Sequence, residues 1–228
     1  MVVSGAVATS FLRAPLSNPS IGQATLTAHR VGGIAVAALL VFLLLRDRSR
    51  RLPAAFVSAT VITGLMAGRS FAPSTAALHA WLAIVTTATL TAMTFPASSP
   101  GGRVSWTAMV ARLGLILMAL QALIGAMLRH HLTSLGWHIL LAGLASIAVL
   151  VPAVATLQRA AHDKRTLVCA ALAIAATVTQ VTLGTGVFVL MVAGNPTVTQ
   201  WVSTTVAHIV FATLTVVATA VFAAALRA

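Results

Sequence analysis

The feature that most restricts this chain is a succession of seven apolar runs, separated by breaks of a few polar, proline or basic residues. A helix that rises 1.5 Å per residue needs about 20 apolar residues to cross about 30 Å of hydrocarbon. The runs at 26–45, 54–70, 76–95, 106–128, 134–157, 166–192 and 201–226 approach or meet that length, the second being the shortest. Between them stand Arg46-Asp47-Arg48 with Pro53, Pro73, the Pro96 to Gly102 cluster, His162-Asp163-Lys164-Arg165 and Asn195-Pro196, all of which are helix-ending signals. The expected fold is an all-α integral membrane protein with seven transmembrane helices. Composition agrees: 59% of residues are hydrophobic and 7% charged, a balance that a water-soluble domain does not sustain.

No break is long enough for a second domain. The chain therefore divides into an N-terminal outer segment (1–25), a first half (26–95), a cytoplasmic linker (96–105) and a second half (106–228). Met1 to Ser10 lacks the basic start of a secretory signal, so the segment is expected to stay attached. A net charge of +12 does not imply nucleic acid here, because the basic residues are scattered through breaks and helix ends rather than gathered on one face. Cys169, the single cysteine, excludes an intramolecular disulfide and a cysteine metal cluster.

The basic residues also orient the chain, since Lys and Arg accumulate in cytoplasmic loops. With the N-terminus outside, Arg46, Arg48, Arg50, Arg51, Arg103, Arg112, Arg159, Lys164, Arg165 and Arg227 fall on the cytoplasmic side. Arg13, Arg30, Arg69 and Arg129 fall on the outer side. The expected location is the cell membrane, N-terminus out and C-terminus in.

An internal repeat carries most of the functional information. The second, fourth and sixth runs each hold a polar residue with glycine four positions later: Thr60 and Gly64, Gln121 and Gly125, Gln180 and Gly184. After each comes an outer loop and a helix with a histidine near its outer end, His79, His138 and His208, and the first helix supplies His29. Four polar side chains at matching depth within a membrane need a common partner. Neutral imidazole is a good iron ligand, and a haem with two axial histidines takes one from each of two facing helices. Pairing within each half gives His29 with His79 and His138 with His208. The residue four positions after each histidine is small, Gly33, Ala83, Ala142 and Ala212, which would let a flat macrocycle lie close to the backbone. Small residues also pack membrane helices together in general. Arg30, Arg69 and Arg129, at the outer ends, suit anionic haem propionates or interfacial snorkelling. His130 and His131 read as loop or propionate contacts, and His162 as a solvated loop residue.

These residues resemble the haem A synthase family, from about Thr25 to the C-terminus. The resemblance rests on His29-Arg30, on Leu78-His79-Ala80-Trp81-Leu82-Ala83, on the run from Leu120-Gln121 through Gly125 to Arg129-His130, and on Gln180 to Gly184 with Ala207-His208. It implies a pseudo-twofold protein of two four-helix halves. His138 and His208 would hold a cofactor haem b, and His29 and His79 the haem being modified, whose methyl group the family oxidises in turning haem O into haem A. Here the iron porphyrin supplies the reactivity and the protein the positioning. Three departures stand out. The family's glutamate three residues before the first histidine is Leu26, the outer cysteine pair is missing, and no counterpart of the family's extra first helix is present. The only acidic residues are Asp47 and Asp163, both in expected cytoplasmic breaks.

Three functions therefore stay open: a short-form synthase, a non-catalytic dihaem cytochrome b that relays electrons or anchors a redox partner, and a small transporter with structural histidines. No helix carries two histidines about four turns apart, so an electron relay would run sideways in the outer leaflet rather than across the bilayer. The partners implied are lipid and haem, with a redox subunit, a quinone or a second copy as further candidates.

Overall fold

The computed structural model describes residues 27–35, 38, 42, 51–70, 72–93, 105–159, 163–194 and 196–226. The expectations placed on the N-terminal segment, Leu26, Asp47, the Pro96 to Gly102 cluster, His162, Asn195 and Arg227 lie outside the described residues.

Seven helices and no strand occur among the described residues. We number them α1 (27–35, with helical geometry also at 38 and 42), α2 (Arg51–Ser70), α3 (Pro73–Met93), α4 (Trp106–Arg129), α5 (Leu135–Leu157), α6 (Lys164–Ala193) and α7 (Val198–Ala225). Five stretches are long and apolar enough to cross a bilayer: Pro73–Met93, Trp106–Arg129, Leu135–Leu157, Lys164–Ala193 and Thr199–Ala225. The apolar part of α2, Ala55–Ala67, is shorter. The protein is a multi-pass membrane protein.

Helix ends follow local chemistry. α3 begins at Pro73 rather than at 76, because proline at the first helical position loses no hydrogen bond. Asp163 caps α6 by accepting from the Thr166 N–H at 2.9 Å and the Thr166 hydroxyl at 2.9 Å. α7 starts earlier than the expected 201 because Thr197 and Gln200 form a capping box, which satisfies two terminal donors reciprocally. α4 ends in a left-handed turn at His131, φ 59°. There the N–H of Leu132 donates to the Met127 carbonyl and that of His131 to Leu128, the pairing that closes a helix when the residue past its cap turns left-handed.

The packing is that of helices in lipid. Ala111, Ala145, Ala153, Ala170 and Ala173 are fully buried, while Ile116, Trp137, Leu144, Leu172 and Val192 stand outward. Small residues let backbones approach where no hydrophobic gain distinguishes a neighbouring helix from a lipid tail. Buried threonines close their hydroxyls onto the preceding turn, as Thr177 does on Ala173 and Thr219 on Thr215. α4, α5, α6 and α7 form a ring in which each packs on the next and α7 returns to α4. The α2/α3 hairpin joins this ring through α3, which packs on both α4 and α7. The Trp81 indole N–H donates to the Ala119 carbonyl of α4 at 2.8 Å, tying the two halves together. At the other end of α4 the Arg159 guanidinium lies over the Trp106 ring, 5.7 Å from its centre.

Candidate functional site

The fold brings the four repeat histidines together in two pairs. His29 of α1 faces His79 of α3 with ring centres 5.9 Å apart and planes at 77°. His138 of α5 faces His208 of α7 at 6.4 Å and 76°. Each pair draws on two different helices, and all four rings are only partly exposed.

Three of the rings rest on the repeat glycines. A Cβ built on Gly64 would come within 2.7 Å of His79 Cε1, one on Gly125 within 3.0 Å of His138 Cε1, and one on Gly184 within 3.0 Å of His208 Cε1. Those approaches are closer than real Cβ atoms accept comfortably, so glycine is what allows each imidazole to lie against the preceding helix. The reason for the four-residue spacing follows. In an α-helix each Cα–Cβ bond leans toward the N-terminus, so the side chain at i+4 covers the region around residue i. Glycine at i+4 uncovers the carbonyl and side chain of residue i for the ring.

The polar residue at i then meets the ring in two ways. His79 Nδ1 lies 2.9 Å from the Thr60 backbone carbonyl. In the second half the side-chain amides take part: the Gln121 amide nitrogen is 3.0 Å from His138 Nδ1 and 3.3 Å from its Nε2, and that of Gln180 is 3.4 Å from His208 Nε2. His208 Nδ1 is buried without a hydrogen-bond partner. The oxygens of both glutamine amides are buried without a partner.

A second repeat, which the sequence reading missed, lies two turns deeper. Thr86, seven residues after His79, donates to the Phe56 carbonyl of α2 at 3.3 Å and meets the Thr60 hydroxyl at 2.9 Å. Thr215, seven residues after His208, shares its hydroxyl proton between the Phe211 carbonyl of its own helix at 2.7 Å and the Ala176 carbonyl of α6 at 3.1 Å. Phe56 and Ala176 each stand four residues before the polar repeat position. A threonine-to-carbonyl contact at equivalent positions therefore links the helices of the α2/α3 and α6/α7 hairpins. At the third position, seven after His138, stands the fully buried Ala145. The signal was legible as a threonine at a constant offset, but a chain with so many threonines hides it.

The other expected site residues are less closely engaged. Gly33, Ala83, Ala142 and Ala212 are partly buried one turn beyond their histidines, whereas the close approaches to the rings come from the glycines of the preceding helices. Arg30 is exposed beside His29, and Arg129 is partly buried in the last turn of α4. Arg69 lies in the last turn of α2, its side chain outside the described residues. His130 is buried at the α4 cap and His131 makes the left-handed turn that follows.

Among the described residues no group of three or more His, Cys, Asp or Glu side chains could hold a bare metal ion. A two-imidazole set suits a metal whose other ligands come from a macrocycle. With metal–imidazole bonds of about 2.0–2.1 Å and about 1.1 Å from nitrogen to ring centre, two imidazoles on opposite sides of one ion have centres about 6.3 Å apart. The two pairs, at 5.9 and 6.4 Å, fall close to that spacing. By spacing, His29 with His79 and His138 with His208 could each hold one haem iron.

Fold and site define a multi-pass helical membrane protein with two interhelical histidine pairs. No protein-family model matches the chain, and neither does any curated protein or any solved structure.

Proposed function

We propose that this protein is a membrane haem-binding protein of haem A synthase type, with two bis-histidine sites near the outer face of the cell membrane. The observation that carries the reading is the pair of imidazole–imidazole spacings, each between different helices and each close to the span of one iron. His138 and His208 would hold a haem b, and His29 and His79 a second haem, either another haem b or a haem O or haem A substrate or product. Bound iron porphyrin would supply one-electron redox chemistry. The chain's part is to present the imidazoles and, through the glycine seats, to fix their rotation. Arg30, Arg69 and Arg129 would neutralise propionates at the polar edge. The arrangement corresponds to a pseudo-twofold bundle of seven spanning helices, with the N-terminus outside and the basic breaks cytoplasmic.

One observation favours a non-catalytic dihaem cytochrome over a synthase. Proton transfer at a methyl carbon needs an acid or base within hydrogen-bond reach, and Asp47 and Asp163 are the only carboxylate side chains in the sequence. Asp163 caps the end of α6 remote from the histidines and Asp47 falls in a basic break expected to be cytoplasmic, so on this reading neither carboxylate lies at the outer face. On this reading electrons pass sideways to an outer redox subunit or a quinone, with lipid as the surrounding partner.

The test is co-expression with a source of haem O in a host without its own synthase, with haem extracted and separated by chromatography. Haem b retained without haem A is the outcome expected of the relay. Haem A formation that requires His29 and His79 would restore the enzyme, and a colourless purified protein would refute both.

A further inference from the structure

Among the described residues, the Gln121 amide is one of two in the second half whose oxygen is buried without a partner. Its nitrogen stands near both nitrogens of the His138 ring, at 3.0 and 3.3 Å. A buried unpaired carbonyl costs about 1–3 kcal/mol. A half-turn of the amide exchanges the two atoms, placing the oxygen at Nδ1 and removing that cost if Nδ1 carries the proton. The contact with Gly125 agrees with this orientation. A Cβ there would meet Cε1 at 3.0 Å and Nδ1 at 3.5 Å, with Nε2 beyond 4 Å. The Nδ1 edge therefore lies closer to the Gly125 seat on α4 than Nε2 does. His79 shows the same division, its Nδ1 being held by the Thr60 carbonyl.

We propose that Gln121 is a positioning residue for His138: its amide oxygen accepts the Nδ1 proton, fixing the ring as the tautomer whose Nε2 carries the lone pair available to a ligand shared with His208. An imidazole that donates from Nδ1 is a more basic ligand, and partners of this kind tune both affinity and electronics of a bound metal. Gln121 thus sets the electron richness of the second site through a side chain, where the first site uses a backbone carbonyl that no substitution removes. The effect on a bound iron rests on the haem reading above, but the tautomer does not.

Two measurements on the full-length protein separate these. In haem-free protein, nitrogen NMR of ¹⁵N-labelled histidine, assigned by comparison with His138→Ala, should show His138 protonated at Nδ1. A ring protonated at Nε2 in the wild-type protein would overturn the proposal whatever the haem content. In haem-loaded protein, Gln121→Leu should weaken haem retention at one site about tenfold and raise that site's midpoint potential. Gln121→Glu, with an ionised carboxylate at alkaline pH, should lower it, and the other site should be unmoved. Midpoints that stay fixed, or that move the same way in both variants, would mean that Gln121 only fills space. Failure of the wild-type protein to take up haem would count against the proposed function and leave the NMR result to decide this inference.

Discussion

The two histidine pairs are built to similar spacings, 5.9 and 6.4 Å, from different surroundings. His138 and His208 sit inside a closed ring of four helices, each ring lying on a glycine of the helix before it and each approached by a glutamine amide. His79 has an equivalent seat on Gly64, but its polar neighbour is a backbone carbonyl and its partner His29 comes from α1, which follows the undescribed residues 1–26. The contrast shows that the common requirement is a bare helix face opposite the His79, His138 and His208 rings, and that the polar residue beside it is free to vary between halves. The second pair is adjustable through side chains. The first is fixed through the main chain.

The largest expected effect comes from filling the seats. Gly64→Ala puts a methyl within 2.7 Å of the His79 ring, while Gly125→Ala and Gly184→Ala approach theirs at 3.0 Å. Alanine at 64 should therefore displace its ring and cut haem retention at the first site by at least tenfold, the scale of losing a supporting contact. Alanine at 125 or 184 should need only a few tenths of an ångström of adjustment and cost severalfold less. Gly143, with nothing within 4 Å, is the control. Haem-to-protein ratios after size-exclusion chromatography measure all four, and equal losses at 64 and 143 would break the comparison.

Next are the hairpin clamps. Thr86→Val and Thr215→Val each remove a bond between helices, worth about 0.6–2 kcal/mol in a membrane interior. Ala145→Thr offers no such clamp and places a hydroxyl in a closely packed site. Unfolding in mixed micelles should show both valine variants weakened by about 1 kcal/mol, and no change at either would remove the clamps from the account.

A smaller change, in the stabilising direction, is expected at the outer end of α4. His131 pays for a left-handed backbone with a side chain that is exposed, and glycine adopts that conformation without the steric cost. His131→Gly should raise stability by about 0.5–1 kcal/mol and leave haem content unchanged. Haem loss on that substitution would instead make His131 part of the site.

The smallest effect is a pH dependence at the opposite end of the second half. The Thr166 N–H, and then its hydroxyl, hold the Asp163 carboxyl below the ordinary carboxylate range. A carboxylate with a lowered folded pKa contributes stability that is present above its unfolded pKa and lost as pH falls through the folded value. Thermal unfolding between pH 7 and pH 2 should lose a small increment at the acid end that is missing in Asp163→Asn. Identical profiles would leave the cap without an electrostatic part.

Much of the fold was legible because bilayer thickness imposes a length on each apolar run, and the structure keeps helices close to all seven. The second run is the shortest in the sequence, and the apolar part of α2, Ala55–Ala67, falls short of the five stretches long enough to cross a bilayer. The histidine pairs were legible from four equivalent depths. The seats were visible only as a polar–glycine repeat, since the spacing says that the residues share a helix face but not what lies on it. The emphasis on Gly33, Ala83, Ala142 and Ala212 came from the histidines' own helices, whereas the close contacts cross from the helix before. The clamps at Thr86 and Thr215 were hidden because threonine bonded to its own preceding turn, as at Thr87 and Thr89, looks the same in sequence as threonine bonded across to another helix. The left-handed turn at His131 was not legible, because such a residue carries no sequence mark when it is not glycine or asparagine.

The central claim, that each pair is one iron site, is tested most directly by electron paramagnetic resonance of the oxidised protein purified with haem. The account predicts two low-spin ferric signals, one lost in His79→Ala and the other in His138→Ala, with each variant keeping its partner's signal intact. A single signal, or two signals that survive both substitutions, would contradict it.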